Sequence, residues 1–366
     1  MVETQLLVVG GGPAGLAAAS AAASLGIEVL LADEGLKLGG QLVKQTHKFF
    51  GSREHHAGVR GIDIPNLLLE NQDKVNIMSN TTIIGCYEDG VLTAVTGEDQ
   101  YFKIKPQLVV FATGASEKFL SFPGNDLPGV YGAGAVQTLM NQYGVVPGKR
   151  VLMIGAGNIG IIVSYQLLQA GIHVAAVVEA APNIGAYLVH ASKLARAGVP
   201  ILTRHTIVEA KGTDSVQSAV IAQLDEKWQV IPGTEKELEV DVVCLAVGLS
   251  PVLDLLSQIG CRRKYIPELG GDVPFRDKQL KTSIDWIYVA GDTAGVEEAS
   301  AAMVEGRLAG AAAAAQLGAD STEAGKIIAS CQASLDSLRR GPVGAKIRAG
   351  IAKLEGGCCK CLNHQA

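Results

Sequence analysis

The sequence predicts an α/β chain built on two Rossmann-like dinucleotide-binding units, with a helical tail at the C-terminus. Two observations carry that prediction. Glycine fingerprints stand at Gly10-Gly11-Gly12-Pro13-Ala14-Gly15 and at Gly155-Ala156-Gly157-Asn158-Ile159-Gly160, 145 residues apart. Each closes an apolar, strand-like run (residues 5–9 and 150–154) and opens a helix-like one. The second observation is an acidic residue 18 or 19 positions beyond each last glycine, at the end of the next apolar run: Asp33, followed by Glu34, and Glu179. One such fingerprint is a weak signal. Two in the same strand–turn–helix setting, with acidic partners near the expected spacing of about 20, point to two bound dinucleotides.

The chemistry asks for these residue types. The first glycine makes the tight turn, the second lets the backbone approach a pyrophosphate, and the third lets helix and strand pack closely. The pyrophosphate then lies on unpaired N–H groups at the positive helix end. The acidic side chain takes the ribose hydroxyls.

The remaining elements follow in order. After Asp33 comes Gly39-Gly40-Gln41, and the first unit ends in an apolar strand at 107–111 followed by Ala112-Thr113-Gly114. Residues 115–148, with Pro123, Pro128 and Pro147, read as a connector. The second unit starts at Lys149 and ends in the run 240–247 with Gly248 after it, so an apolar strand followed by glycine closes both units. A strand at 284–290 leads to Gly291-Asp292 and an Ala-rich helix from about 297 to 317. The rest, to residue 366, reads as a helical tail.

Composition bounds the function. At 366 residues the chain allows about two domains of ordinary size. With 48% hydrophobic and only 5% aromatic residues, and 44 glycines, it suits closely packed α/β layers. A net charge of −5 argues against nucleic acid as a main partner. Residues 5–27 carry no charge, but their glycines and Pro13 break them into strand, turn and helix, and the alanine run at 311–315 is too short for a bilayer, so no membrane span is expected. Met1-Val2-Glu3-Thr4 has no positive charge, and the seven cysteines are odd in number. A reducing cytoplasm is the expectation.

In order, Gly10–Gly15 with Asp33, Gly39-Gly40-Gln41, Ala112-Thr113-Gly114, the second fingerprint with Glu179, and Gly291-Asp292 resemble the two-dinucleotide flavoprotein disulfide reductase superfamily over roughly residues 5–318. The resemblance implies FAD in the first site and NAD(H) in the second. It implies an FAD domain of residues 1–114 and 250–320, split by an NAD(H)-binding domain of residues 115–249, with residues 321–366 as the tail. It also implies that Asp292 bonds the ribityl chain and that the following helix aims its positive end at the flavin pyrimidine ring.

One departure from that pattern is informative. The stretch ATGASEKFLSFP at 112–123 is similar to the thioredoxin-reductase subgroup, yet Ala133 and Val136 hold the places of its two cysteines, and no cysteine lies in 39–45. Disulfide chemistry needs a thiolate, so the flavin electrons must leave by another route. Among branches without these cysteines, the chain resembles the flavoprotein subunits of multisubunit proline, hydroxyproline and opine dehydrogenases, of hydrogen cyanide synthase, and the matching part of sarcosine oxidase. In several of these the tail carries four cysteines for a 2Fe-2S iron–sulfur cluster. Here Cys358, Cys359 and Cys361 are three candidate ligands, with Cys331 or a partner residue as the fourth, or else surface thiols of a vestigial tail.

Two further segments stand out. Residues 45–61 hold His47, Phe49, Phe50, His55 and His56; they read as a site or docking loop, or as a solvated loop anchored by a phenylalanine. Residues 338–366 hold Arg339, Arg340, Lys346, Arg348, Lys353 and Lys360 against only Glu355, a patch for an acidic partner or a solvated helix face. Together these readings predict an FAD- and NAD-dependent oxidoreductase subunit of a hetero-oligomer, moving electrons between NAD(H) and FAD and on to a partner subunit or cluster. The alternatives are a stand-alone NAD(P)H oxidase or small-acceptor reductase, and a non-catalytic scaffold that binds nucleotides. No catalytic side chain is named, because hydride transfer between rings rests on positioning and exclusion of water.

Overall fold

The computed structural model describes residues 1–49, 53–70, 73–342 and 344–355. The chain forms two compact units, residues 1–116 with 250–366, and residues 117–249.

The first unit is organised by a seven-stranded sheet. Strands Val75–Met78, Val29–Ala32, Val2–Val9, Gln100–Phe111 and Ile287–Val289 run parallel, with Val2–Val9 and Gln100–Phe111 at the centre. Their inner stretches are apolar on both faces, as a sheet covered on both sides requires. Gln100–Phe111 is longer than its apolar core and serves two neighbours on one edge. Residues 100–104 pair antiparallel with Leu92–Thr96, which pairs with Thr81–Cys86, while residues 109–111 pair parallel with Ile287–Val289.

Helix Pro13–Ser24 starts with proline, whose missing N–H costs nothing in the first turn. Its alanines are buried on nearly every side, and it packs on the equally alanine-rich helix Ala299–Gln316. The approach is close. A Cβ at Gly306 would stand 2.0 Å from the Ala14 carbonyl oxygen, and one at Gly310 2.2 Å from that of Ala18. The tail helix Ser321–Leu338 packs on Ala299–Gln316 in turn, and Ala345–Glu355 covers the apolar side chains of Ile266, Leu269 and Val273.

The second unit has a five-stranded parallel sheet in the order Ile201–Thr203, His173–Glu179, Arg150–Ile154, Val242–Leu245, Val130–Gly132. A three-stranded antiparallel sheet, His205–Lys211, Ser218–Gln223 and Lys236–Glu239, lies in the same unit. Among the described residues no helix is long and apolar enough to cross a membrane.

Candidate functional site

Both fingerprints sit where a parallel strand turns into a helix, and their three glycines divide into two kinds. Gly10 and Gly155 take φ of +101° and +107°, in the left-handed region, and a Cβ there would meet the Ala112 and Ala246 carbonyl oxygens at 2.4 and 2.3 Å. Gly15 and Gly160 are pressed onto the carbonyl oxygens of Gly10 and Gly155, at 1.7 and 2.1 Å from an added Cβ. The fold itself demands these four glycines. The middle glycines differ. Gly12 and Gly157 have φ of −74° and −75°, open to any residue. A Cβ at Gly12 would meet nothing nearer than the Gly40 Cα at 4.0 Å, and one at Gly157 meets nothing within 4 Å.

Nothing in the packing explains those middle glycines, which stand at the N-cap positions of the two helices and bring no side chain to them. A helix N-terminus beside a clear backbone fits an anionic pyrophosphate. The residues present at each cradle therefore fit a dinucleotide.

The acidic partners are held the same way in both units. Asp33 Oδ2 accepts the Gly11 N–H at 2.5 Å and its Oδ1 accepts the Gly35 N–H at 2.8 Å. Glu179 Oε2 accepts the Ala156 N–H and its Oε1 the Ala181 N–H, both at 2.8 Å. Each carboxylate is thereby fixed at its strand end against the middle of its fingerprint. A second backbone segment also lies on each. The Gly39 N–H donates to the Gly11 carbonyl at 2.7 Å, bringing Gly40 over Gly12. The Gly185 and Ala186 N–H groups donate to the Ala156 carbonyl at 3.1 and 3.0 Å, and Asn158 Oδ1 accepts the Tyr187 N–H at 2.9 Å. Glu34, Gln41 and Ile159 are exposed around these cradles.

In the first unit the structure brings Ala112-Thr113-Gly114 beside Gly10 and Gly291-Asp292 beside Ala14. Thr293 Oγ1 accepts the Gly114 N–H at 2.8 Å, and Gly291 would touch the Ala14 Cβ with any side chain of its own. The Asp292 carboxylate accepts the Glu297 N–H at 3.2 Å. Burial raises its pKa from 3.8 to about 6; the Glu297 N–H works against that rise, while the charges of Glu305 and Glu297 add to it. Behind this turn lies a buried ionic cluster that sequence reading did not single out. Glu305 accepts the Gly291 N–H at 3.1 Å through Oε2 and Arg339 Nη2 at 2.6 Å through Oε1. Arg339 also forks onto Glu297, and Arg276 Nη2 lies 3.7 Å from Glu305.

In the second unit Gly248 accepts the Lys118 N–H through its carbonyl at 2.9 Å. Helix Ala133–Tyr143 opens with buried Ala133 and Val136, and the carboxylate of Glu117 accepts the Gly134 N–H at 2.7 Å. Thus a carboxylate, and no thiol, serves this helix start. The four described cysteines, Cys86, Cys244, Cys261 and Cys331, are free and buried. Burial pushes the Cys86 thiol up to about 12 and raises those of Cys244 and Cys331, so none of these three is a ready thiolate.

The tail candidates divide. Cys358, Cys359 and Cys361 lie outside the described residues, and among the described residues no group of three or more His, Cys, Asp or Glu is placed to hold a metal ion. Cys331 is 2% exposed inside the first unit's core, a position that argues against it as a cluster ligand. Of the basic tail residues Arg339 turns into the cluster, while at the surface Arg348 donates to the Arg339 and Gly341 carbonyls and Lys353 to Glu268. In the 45–61 segment, Phe49 packs with Leu42, Ile64 and Met303, which is the anchored-loop reading; Phe50 lies outside the described residues.

Comparison with known proteins agrees with this geometry. The family model for pyridine nucleotide-disulphide oxidoreductase matches residues 4–306. The chain is 31% identical over 337 residues to an opine oxidase subunit of Agrobacterium tumefaciens (strain Ach5), covering 87% of this chain and 67% of that one. It is 30% identical over 333 residues to the alpha subunit of sarcosine oxidase of Corynebacterium sp. (strain P-1), covering 87% of this chain but only 33% of that protein. In structure it is similar to L-proline dehydrogenase from P. horikoshii (TM-score 0.71, 24% identity, 92% of this chain and 59% of that one). It is also similar to T. acidophilum thioredoxin reductase (TM-score 0.70, 21% identity, 86% and 99%). The chain thus spans a third of the sarcosine oxidase chain and well over half of the proline dehydrogenase chain.

Proposed function

The chain belongs to the pyridine nucleotide-disulphide oxidoreductase family and is an FAD/NAD oxidoreductase; on that premise we propose that it is the flavoprotein subunit of an amino-acid dehydrogenase-type complex. It moves electrons between NAD(H) and FAD and passes them to a partner subunit or an iron–sulfur cluster. The observation that carries this reading is a pair of complete nucleotide cradles in a chain whose Ala133–Tyr143 helix opens on alanine and a capping carboxylate. With no thiol there, electrons reaching the flavin have no internal disulfide to enter by that route. The likeness to subunits of opine and sarcosine oxidases supports an exit to a partner.

The bound flavin supplies hydride chemistry at N5. The chain's residues bind and orient. In the first cradle Gly10, Gly12, Pro13, Ala14 and Gly15 take the FAD pyrophosphate, Asp33 with Glu34 the adenosine ribose, and Gly40 and Gln41 cover it. Ala112, Thr113, Gly114, Gly291 and Asp292 hold the flavin end. In the second, Gly155, Gly157, Asn158, Ile159 and Gly160 take the nicotinamide nucleotide, with Glu179 on its ribose and Gly248 at the closing strand. Glu179 favours NAD(H), because a fixed carboxylate repels a 2′-phosphate. Strand pairing sets Thr203 opposite Glu179, and the Arg204 N–H donates to the Ala181 carbonyl at 3.1 Å, a neighbouring segment that sequence spacing does not reveal.

Two anaerobic rates test the proposal: flavin reduction by NADH in the isolated chain, and electron delivery to a co-purified partner. Deleting residues 356–366 is expected to slow the second and spare the first. Rapid turnover of NADH with oxygen by the isolated wild-type chain, with both rates untouched by the deletion, would overturn it.

A further inference from the structure

We propose that Arg339, which the C-terminal tail supplies, is a positioning residue for the flavin: through Glu297 and Glu305 it fixes the Gly291-Asp292 turn and balances the charge that the bound flavin meets. The inference rests on the reading that FAD occupies the first cradle.

The geometry is a two-branched path. Arg339 caps the end of helix Ser321–Leu338. Its Nε and Nη2 fork onto Glu297 at 3.1 and 2.6 Å, and Nη2 also reaches Glu305 at 2.6 Å. From Glu305 one branch ends on the Gly291 N–H; from Glu297 the other ends on Asp292, which accepts the Glu297 N–H. Both branches therefore end on adjacent residues of one turn. Arg276 completes the set, with its side chain 5% exposed and its Nε buried without an acceptor.

Two cations and two carboxylates balance here, at 15, 5, 8 and 2% side-chain exposure for Arg339, Arg276, Glu297 and Glu305. Such burial is a poor way to gain stability, since well-packed apolar side chains of similar volume commonly do as well or better. Glu305 is, moreover, the one charged side chain among the buried residues of its helix, which are otherwise alanine, glycine, Met303, Val304 and Leu308. A clamp for the tail alone would not need a carboxylate aimed at Gly291. Burial is the main cause of the raised pKa of Asp292, and the charges of Glu305 and Glu297 add to it. Losing one cation makes the surroundings of the turn more negative, which disfavours an anionic reduced flavin; losing one carboxylate does the reverse.

The test uses the full FAD-loaded chain and four variants: R339Q, E297Q, the double R339Q/E297Q, and R340Q, an exposed arginine next door. Three quantities are read: midpoint potential by spectroelectrochemistry, FAD affinity, and the melting temperature of the apo chain. R339Q is expected to bind reduced FAD about tenfold less well relative to oxidised FAD, a fall of about 30 mV for a two-electron couple. E297Q should move the potential up, the double variant should return it toward wild type, and R340Q should leave it in place. A merely structural clamp gives lower apo stability in both single variants, with potentials unchanged or moving together; that result overturns the proposal. Should R339Q fail to fold, the direction of E297Q decides alone: a rise supports the proposal, and no change or a fall overturns it. A wild-type chain that binds no FAD defeats the underlying reading, whereas FAD-loaded variants of equal potential defeat only this inference.

Discussion

Gly12 and Gly15 lie three residues apart in one fingerprint, yet the structure assigns them opposite failures. At Gly12 the backbone is at φ −74°, ψ −175°, and the nearest atom to an added Cβ is 4.0 Å away. An added Cβ meets no clash there in the empty chain. Removing a glycine's freedom from the unfolded state is worth about 0.4–1 kcal/mol where the native backbone suits the new residue, so G12V should melt no lower than wild type without FAD. Its methyl groups, however, stand where the pyrophosphate must approach the backbone. Losing that approach should cost at least a hundredfold in FAD affinity, about 2.7 kcal/mol. At Gly15 an added Cβ would stand 1.7 Å from the Gly10 carbonyl oxygen. G15A must push strand and helix apart, an overpacking cost of about 1–3 kcal/mol or more. The assay pairs apo-chain melts with FAD titration by flavin fluorescence. Full flavin content with unchanged affinity in G12V, or an unaltered apo melt in G15A, would refute the division of roles.

Three further outcomes are expected. Asp292 ionises near pH 6 when folded against 3.8 ordinarily, so between those values the folded chain keeps a proton that the unfolded chain has lost, and stability falls as pH rises through that window. D292N should therefore stabilise the apo chain at pH 7–8 by about 1–3 kcal/mol and flatten the pH profile of denaturant midpoints between pH 4 and 6, while weakening FAD binding. E117A, which removes the acceptor of the Gly134 N–H, should cost about 0.5–2 kcal/mol in urea unfolding, with no loss of a thiol-dependent activity to accompany it. E179A should narrow the preference for NADH over NADPH in stopped-flow flavin reduction, and an unchanged ratio would remove Glu179 from nucleotide choice.

What the sequence made legible was local. The strand–turn–helix fingerprints, Asp33 and Glu179 at their strand ends, the Ala-rich helix and the helical tail all announce themselves within about 20 residues, because backbone geometry and hydrophobic period act over that range. The missed features act across the chain. Thr293 reaches Gly114 over 179 residues, Arg339 reaches Glu297 over 42, and Glu117 caps a helix 17 residues on. No spacing rule marks such pairs. The basic tail was legible only in part: Arg340, Lys346, Arg348 and Lys353 are exposed, while Arg339 directs its charge to Glu297 and Glu305, partners brought by the fold. The strand Gln100–Phe111 outran its apolar core, residues 107–111, because its polar first half pairs with Leu92–Thr96 at the sheet's far end.

The double service of that strand also dictates an order of events during synthesis. Residues 109–111 wait for Ile287–Val289, and helix Pro13–Ser24 waits for Ala299–Gln316. Residues 117–249 close on themselves. Chains emerge from the ribosome N-terminus first, at about 5–20 residues per second. The inserted unit can therefore finish folding while the first sheet still has an open edge and an uncovered alanine face. Closing that long loop carries a modest entropic cost that grows only with the logarithm of its length, and an already folded insert shortens the effective span. The last partners to arrive, around residues 287–316, are thus the ones whose delay leaves the nascent first unit exposed to wrong pairing along its edge.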